Sequence, residues 1–169
     1  SVTIYYGTNS GDYRAVNGAD GTERWSLVAP EHFEKLDRLY ENYPLVEYTG
    51  AEEEQGFQHD PKDYFFDGST GLIAGYDGDN ALSYAYIYPT MRRGGRMVYA
   101  LDVTDPDENP ELLWRAGCED LVGDTNCTAG FTGMGQSWSK PIGGFVAGYT
   151  DVEGDSQLIV AFGGGFDDC

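Results

Sequence analysis

One stretch of the sequence, residues 93–114, constrains the fold more than any other; it reads RGGRMVYALDVTDPDENPELLW. Residues 97–103 alternate as a β-strand does, with Val98 and Ala100 on one face and Tyr99 and Leu101 on the other. The Thr-Asp-Pro-Asp that follows is typical of a turn. Residues 112–114, Leu-Leu-Trp, then begin a second apolar strand. The segment therefore predicts two strands joined by an acidic turn.

An earlier segment repeats this order of strand, acidic turn and tryptophan. Residues 13–17 correspond to the first strand of the later segment, and Trp25, after the turn, corresponds to its tryptophan. The aligned pairs are Ala15 with Ala100, Val16 with Leu101, Asn17 with Asp102, Asp20 with Asp105, and Trp25 with Trp114. Such a repeat favours a radial or stacked array of sheets. We therefore predict an all-β fold of the β-propeller class, with both tryptophan rings filling space between blades.

The chain length limits how much of a propeller is present. Propellers have typically 4–8 blades of about 40–45 residues each. The 169 residues have room for roughly three to four blades, so we expect part of a propeller. Further strands are predicted at residues 2–6, 25–28, 64–66, 72–76, 81–88, 142–149 and 157–162, with a loop over residues 43–58.

A short helix is predicted near residues 31–40, inserted between strands. Phe33, Leu36, Leu39 and Tyr40 recur at helical spacing, and Pro30 suits a first turn. We expect this apolar face to pack on the rim of the propeller.

Several motifs, in order, make the chain similar to a known family. YALDVTDP at residues 99–106, followed by Leu113-Trp114, resembles the PilC/PilY family of type IV pilus tip proteins. Further matching motifs are YGTNSG at 6–11, ERW at 23–25, DGS at 67–69, SWSKP at 137–141 and FGGGF at 162–166. The resemblance runs nearly from end to end. It implies that residues 1–169 are a segment of a single PilC/PilY-type β-propeller domain, related to the quinoprotein propellers.

The resemblance also implies a function. It predicts a non-catalytic factor at the tip of the type IV pilus that acts in pilus assembly, retraction control and surface adhesion. Its partners would be pilins or other pilus-tip proteins, and host or abiotic surfaces. The protein would be exported to the bacterial cell surface, pilus tip, outer membrane or periplasm. The alternatives are a quinoprotein-like dehydrogenase and a free-standing secreted adhesin module.

The charge of the chain excludes some partners. The formal net charge is −19, and only three lysines are present. No basic patch offsets the repulsion of phosphates, so we expect no nucleic-acid partner. We also expect no membrane span, because no run of about 18 apolar residues exists. The carboxylates are expected to be solvated surface groups for the most part, with some of them matched by Ca²⁺ as the alternative.

The best candidate for a metal site is the loop 150–156. Asp151, Glu153 and Asp155 place carboxylates at alternate positions, and Ca²⁺ takes oxygen ligands. The pattern resembles a DxDxDG calcium loop, of which PilC/PilY propellers carry one. An ordinary acidic hairpin turn is the alternative. Weaker candidates are residues 77–80 and the set Asp120, Asp124 and Asn126.

The cysteines indicate a disulfide. Cys118 and Cys127 bracket a short polar loop that a disulfide can close, as suits an exported protein. Two free thiols are the alternative, and Cys169 has no evident partner.

Catalytic motifs are absent from the sequence. It has no GxSxG, P-loop or HExxH motif, and we expect no enzyme. The basic cluster Arg92, Arg93 and Arg96 predicts either an anchor for an acidic partner or salt bridges to carboxylates such as Asp102 and Asp105.

Overall fold

The computed structural model describes residues 2–47 and 59–165 of the chain. Within these ranges three antiparallel sheets, one short parallel pair and one α-helix form. The three-stranded sheet comprises β1 Thr3–Gly7, β2 Asp12–Asn17 and β3 Glu23–Val28, and the helix that follows it is α1 Phe33–Glu41. The parallel pair is β4 Leu45–Val46 with β5 His59–Asp60, and the four-stranded sheet comprises β6 Gly71–Tyr76, β7 Leu82–Tyr88, β8 Arg96–Asp102 and β9 Glu111–Cys118. The third antiparallel sheet is the hairpin of β10 Ile142–Thr150 and β11 Ser156–Ala161. The predicted all-β architecture with one inserted helix is confirmed.

The repeat in the sequence is also a repeat in strand register. Ala15 lies opposite Trp25 in β2 and β3, and Ala100 lies opposite Trp114 in β8 and β9. In both pairs of strands the register shifts immediately after the alanine. A shift of this kind inserts an extra residue and increases the local twist of the strands. The two copies therefore share a bulge as well as a motif.

The core lies between the three-stranded and the four-stranded sheets. The Phe66 ring bridges the two, with its centre 5.3 Å from that of Tyr13 and 5.5 Å from that of Tyr99. The buried cluster comprises Tyr13, Ala15, Trp25, Ala29, Phe66, Ala85, Ile87, Met91, Met97, Tyr99, Leu101 and Val103. Each large apolar side chain buried here stabilises the fold by about 1.5–3 kcal/mol. Packing between sheets therefore holds the array together.

Strand β8 is the most deeply buried element. All residues from Arg96 to Leu101 are buried, on both faces of the strand. Met97, Tyr99 and Leu101 face the three-stranded sheet, whereas Val98 and Ala100 point to the opposite side. A strand buried on both faces occupies the middle of a layered array rather than its edge.

The hairpin of β10 and β11 begins a third unit beside β6. A side chain at Gly143 would come within 3.2 Å of Tyr88 and Ile73, so glycine permits this approach. Beyond that contact most of β10 is exposed, including Ile142, Phe145 and Val146. The described residues thus form one four-stranded sheet flanked by two smaller ones.

The helix forms where predicted, but its expected apolar contact face is wrong. Leu36 is partly buried as expected, whereas Phe33, Leu39 and Tyr40 are exposed. Two cations provide the inner face instead. Lys35 Nζ donates to the carbonyls of Tyr64 and Gly94 at 3.0 and 2.9 Å. Arg38 donates to the carbonyls of residues 44, 45, 60 and 61. The helix is therefore fixed by hydrogen bonds as well as by apolar burial.

The predicted strand at residues 64–66 is also wrong. Phe65 and Phe66 are buried but pair with no strand. The backbones of Gly7 and Gly94 lie directly against this segment. A Cβ at Gly7 would lie 1.8 Å from the Phe66 carbonyl oxygen, and a Cβ at Gly94 would lie 1.7 Å from the Phe65 carbonyl oxygen. Phe65 and Phe66 therefore fill the core from a segment without regular secondary structure. The predicted loop over residues 43–58 contains β4, and its residues 48–58 lie outside the described ranges, as do Phe166 and Cys169.

Across residues 2–47 and 59–165 no helix is long and apolar enough to span a bilayer.

The two tryptophans of the repeat differ in burial, which predicts different energetic roles. Trp25 is 5% exposed and Trp114 is 36% exposed. We expect Trp25→Ala to lower the free energy of unfolding by about 3–5 kcal/mol and Trp114→Ala to lower it by about half as much. Urea denaturation of the two variants measures both values. Equal losses would contradict a core placed between the first two sheets.

Candidate functional site

The strands give the molecule two chemically different ends. We call the end that carries the hairpin loops 18–22, 77–81, 103–110 and 151–155 the turn end, and the end that carries α1 and residues 89–95 and 119–141 the loop end. Arg24, near the start of β3, donates to the carbonyl of Pro106 and pairs with Asp107. These contacts connect the three-stranded and four-stranded sheets at the turn end. Gly71 and Pro141 meet at the loop end.

Arg96 organises the loop end from inside. Its side chain is buried, and its guanidinium donates to the carbonyls of Met134 at 2.5 Å and Gly123 at 2.6 Å. It also donates to Asp124 Oδ1 at 2.7 Å. That same carboxylate oxygen accepts from the backbone N–H of Gly133. One arginine thus ties the loops 119–126 and 131–135 to the start of β8.

The structure joins Cys118 and Cys127 in a disulfide. The two residues also form an isolated antiparallel bridge at the end of β9. The disulfide closes the loop that Arg96 anchors. Leu121 and Val122 are exposed within that loop.

A second polar network joins the helix region to the four-stranded sheet. The Glu31 carboxylate is 5% exposed; it accepts from Tyr99 Oη at 2.5 Å and pairs with Arg115. Arg115 also pairs with Glu119 at 2.7 Å. Burial, together with the adjacent Glu31 carboxylate, raises the pKa of the Tyr99 hydroxyl, so Tyr99 stays a neutral donor at physiological pH. Sequence analysis missed this network, because Glu31 lies 68 residues from Tyr99 and 84 residues from Arg115 in the chain.

A groove of about 530 Å³ lies between the start of the helix and the disulfide-closed loop. Glu31, Glu34, Glu119 and Asp120 line it together with Lys35. Both walls are held in place, one by the Glu31 network and the other by Arg96 and the disulfide. The groove is a rigid acidic concavity at the loop end.

The basic cluster predicted from the sequence divides among three partners. Arg93 pairs with Asp67 at 2.8 Å, Arg96 pairs with Asp124, and Arg92 lies over the ring of Trp138. The predicted partners Asp102 and Asp105 are wrong, since both accept from local groups at the turn end instead. Asp102 accepts from Thr104, and Asp105 accepts from the N–H of Asp107.

The predicted calcium residues lie together in the β10–β11 hairpin loop. Oxygen atoms of Asp151, Glu153 and Asp155 lie within 4.8 Å of one another, and all three side chains are exposed. Asp151 Oδ1 accepts from the N–H groups of Glu153 and Asp155, both at 2.9 Å, and Oδ2 accepts from the Gln157 side chain. The loop is therefore also a turn built by Asp151.

The loop between β6 and β7 is a natural control for this turn. Asp77 Oδ1 accepts from the N–H groups of Asp79 and Ala81, as Asp151 does from the equivalent positions. The fourth loop residue is left-handed in both loops, Asn80 with φ 61° and Gly154 with φ 91°. Ala81 stands where the other loop has Asp155. The same turn thus forms without a carboxylate at the position of Asp155.

The loop offers oxygen ligands, which are the type that calcium binds. Ca²⁺ takes 6–8 oxygen ligands, and the side chains of the loop supply three carboxylates. The carboxylates of Glu153 and Asp155 accept no hydrogen bond among the described contacts, so both can turn toward an ion. Water or another segment would have to complete the coordination.

Comparison with known proteins identifies related sequences. A family model described as the PilY1 beta-propeller domain matches residues 1–149. The type IV pilus biogenesis factor PilY1 of Pseudomonas aeruginosa strain UCBPP-PA14 is 30% identical over 116 residues, which are 68% of this chain and 8% of that protein. A PilY1 homolog of Xylella fastidiosa strain Temecula1 is 31% identical over 140 residues, 82% of this chain and 9% of that protein. The chain thus spans about a tenth or less of these relatives.

A solved structure shows the same fold. The crystal structure of the Pseudomonas aeruginosa PilY1 C-terminal domain is similar with a TM-score of 0.54 and 23% identity. The similarity covers 97% of this chain and 24% of that one. Together with the family model, this likeness confirms the predicted β-propeller class, present here in part.

The buried position of Arg96 predicts a strong effect on stability. We expect Arg96→Met to lower the free energy of unfolding by about 3 kcal/mol, because several acceptors lose their donor. Arg14→Met is the matched control, since Arg14 is more exposed, and its expected loss is about 0–1 kcal/mol. Denaturation midpoints give both values. Similar losses would contradict the anchoring role of Arg96.

The Asp124 carboxylate predicts a stability loss in acid. The hydrogen bond from Arg96, followed by that from Gly133, lowers the pKa of Asp124 below its usual 3.8. The stabilising contribution is therefore complete above about pH 4 and is lost as the pH falls through the lowered pKa. We expect Asp124→Asn to flatten the decline in Tm below pH 4. An unchanged slope would show that Asp124 is not linked to folding.

Proposed function

The chain belongs to the PilY1 β-propeller family, and from this membership we propose that it acts in type IV pilus biogenesis as a non-catalytic scaffold. The observation that carries the proposal is the family match over residues 1–149. We take residues 1–169 as a segment of one propeller domain. The proposal extends to a location at the pilus tip and to roles in pilus assembly, retraction control and surface adhesion.

The architecture supports a scaffold that presents surfaces. The inter-sheet core fixes the strands, while the loop end displays longer segments held by Arg96 and the Glu31 network. Loops on a rigid framework are where proteins commonly place binding residues. The partners in this proposal are pilins or other pilus-tip proteins, together with host or abiotic surfaces. Export of the protein is consistent with a disulfide between Cys118 and Cys127.

The pilus role is tested in the source bacterium with the intact gene. A tagged protein should co-purify with sheared pili, and deletion of the gene should abolish surface pili. Blocking retraction in the deletion strain should restore pili if the protein opposes retraction. Normal piliation after deletion, with no tagged protein in the pilus fraction, would overturn the proposal.

Calcium binding by the β10–β11 loop is a further part of the proposal. Asp151, Glu153 and Asp155 would hold the ion, which removes the repulsion among three nearby carboxylates. An exposed site of this kind resembles weak extracellular ones, with a Kd on the order of 10⁻⁴–10⁻³ M. In this account calcium would stiffen the turn end and so modulate the surface presented there.

Asp155→Ala provides a clean test of the calcium site, because Ala81 shows that the turn forms without this carboxylate. We expect millimolar CaCl₂ to raise the Tm of the native chain and to leave that of Asp155→Ala unchanged. Asp79→Ala in the equivalent loop is the matched control and should respond as the native chain does. An equal Tm response in the native chain and Asp155→Ala would exclude this loop as the site.

A further inference from the structure

Arg92 and Trp138 form a cation–aromatic pair at the loop end, in which Trp138 is exposed and Arg92 is partly buried. The Arg92 guanidinium carbon lies 4.4 Å from the centre of the Trp138 ring, and Trp138 is 41% exposed. A guanidinium stacks on an indole through its flat face. Its N–H donors point outward at its edge, so stacking leaves them free to bind an acceptor.

Arg92 differs from every other arginine among the described residues. It is the one arginine there whose guanidinium donates to neither a carboxylate nor a carbonyl. The other six have such acceptors: Arg14, Arg24, Arg38, Arg93, Arg96 and Arg115. The chain has 29 acidic residues, so acceptors are not scarce. The Arg92 guanidinium is available to a carboxylate from another molecule.

Hydrogen bonds of Ser137 and Gln136 hold the pair in position. Ser137 is buried, and its Oγ accepts from the N–H of Met91 at 3.0 Å and donates to the carbonyl of Met97 at 3.0 Å. The Trp138 indole N–H donates to the side chain of Gln136 at 3.0 Å, which orients the ring. A site positioned before binding loses less conformational entropy when a ligand arrives.

The backbone of Arg92 is strained. Its φ is 49°, in the left-handed region that favours glycine or asparagine. Strain of this kind persists where the surroundings impose it, and it concentrates at functional sites. Glycine would suit the position better for stability alone. Besides stacking on Trp138, the arginine side chain at this position leaves its N–H donors without an acceptor among the described residues.

We infer that Arg92 and Trp138 bind a carboxylate on an acidic segment of a partner protein. The guanidinium edge would hold an Asp or Glu side chain in two parallel hydrogen bonds, with the indole behind it. An acidic saccharide fits less well, because the guanidinium already covers a ring face on which a sugar would stack. An acidic segment brings a few negative charges to the site, whereas nucleic acid brings a continuous row of phosphates, which a chain of net charge −19 repels more strongly. The site consists of its own side chains and does not depend on the pilus role.

The test uses two peptides with blocked ends. The Glu peptide has the sequence Gly-Ser-Glu-Gly-Ser-Glu-Gly-Ser, and the Gln peptide has Gln in place of both Glu residues. Nuclear magnetic resonance titration at low salt follows the three indole N–H signals of the chain. We expect the Glu peptide to shift the Trp138 signal and to leave those of Trp25 and Trp114 in place. The Gln peptide should shift none of them.

Variants separate binding from folding. Arg92→Gln should weaken binding of the Glu peptide about tenfold or more. Arg92→Gly should cause the same loss with an equal or higher Tm, because glycine suits this backbone conformation. Arg14→Gln is the matched control and should bind as the native chain does.

Several results would overturn the inference. These are equal binding of the Glu and Gln peptides, equal losses in Arg92→Gln and Arg14→Gln, and no shift of the Trp138 signal at millimolar peptide. Binding of oligogalacturonate in the absence of peptide binding would reassign the site to an acidic saccharide and refute the protein partner.

Discussion

The packing of β8 against the three-stranded sheet is the interaction on which the rest of the structure depends. Tyr99 and Leu101 from β8 join Trp25 and Phe66 in one buried cluster. The first residue of the strand, Arg96, anchors the loop end, and its last residue, Asp102, fixes the start of the acidic turn through Thr104. Features at both ends are therefore positioned by one strand that is buried on both faces.

The two ends are suited to different chemistry. The turn end consists of short hairpin loops whose carboxylates accept from their own backbone, as Asp77 and Asp151 do. Two of the three lysines, Lys35 and Lys140, belong to segments of the loop end. The longer segments there are held by half-buried ion pairs, such as that of Arg96 with Asp124, rather than by strand pairing. The propeller framework thus separates an acidic, regular surface from an irregular one with mixed charge, where Arg92 remains free of carboxylates among the described residues.

Local patterns in the sequence predicted the strands and the repeat well, because alternation and turn residues act over a few positions. The aligned alanines and tryptophans of the repeat occupy matching register positions, bulge included. Features decided by distant segments escaped prediction. Residues 64–66 look like a strand but are shaped by the close backbones of Gly7 and Gly94. The helix contacts depend on the carbonyls that Lys35 and Arg38 reach, and no local pattern reveals them.

Hydrogen exchange measured along the chain by mass spectrometry tests the central claim most directly. If the inter-sheet core around β8 holds the fold, amides of residues 97–101 should exchange only on global unfolding. Amides of residues 145–150, in the exposed part of β10, should exchange orders of magnitude faster. Equal protection of the two segments, or faster exchange in β8, would contradict a structure built around that strand.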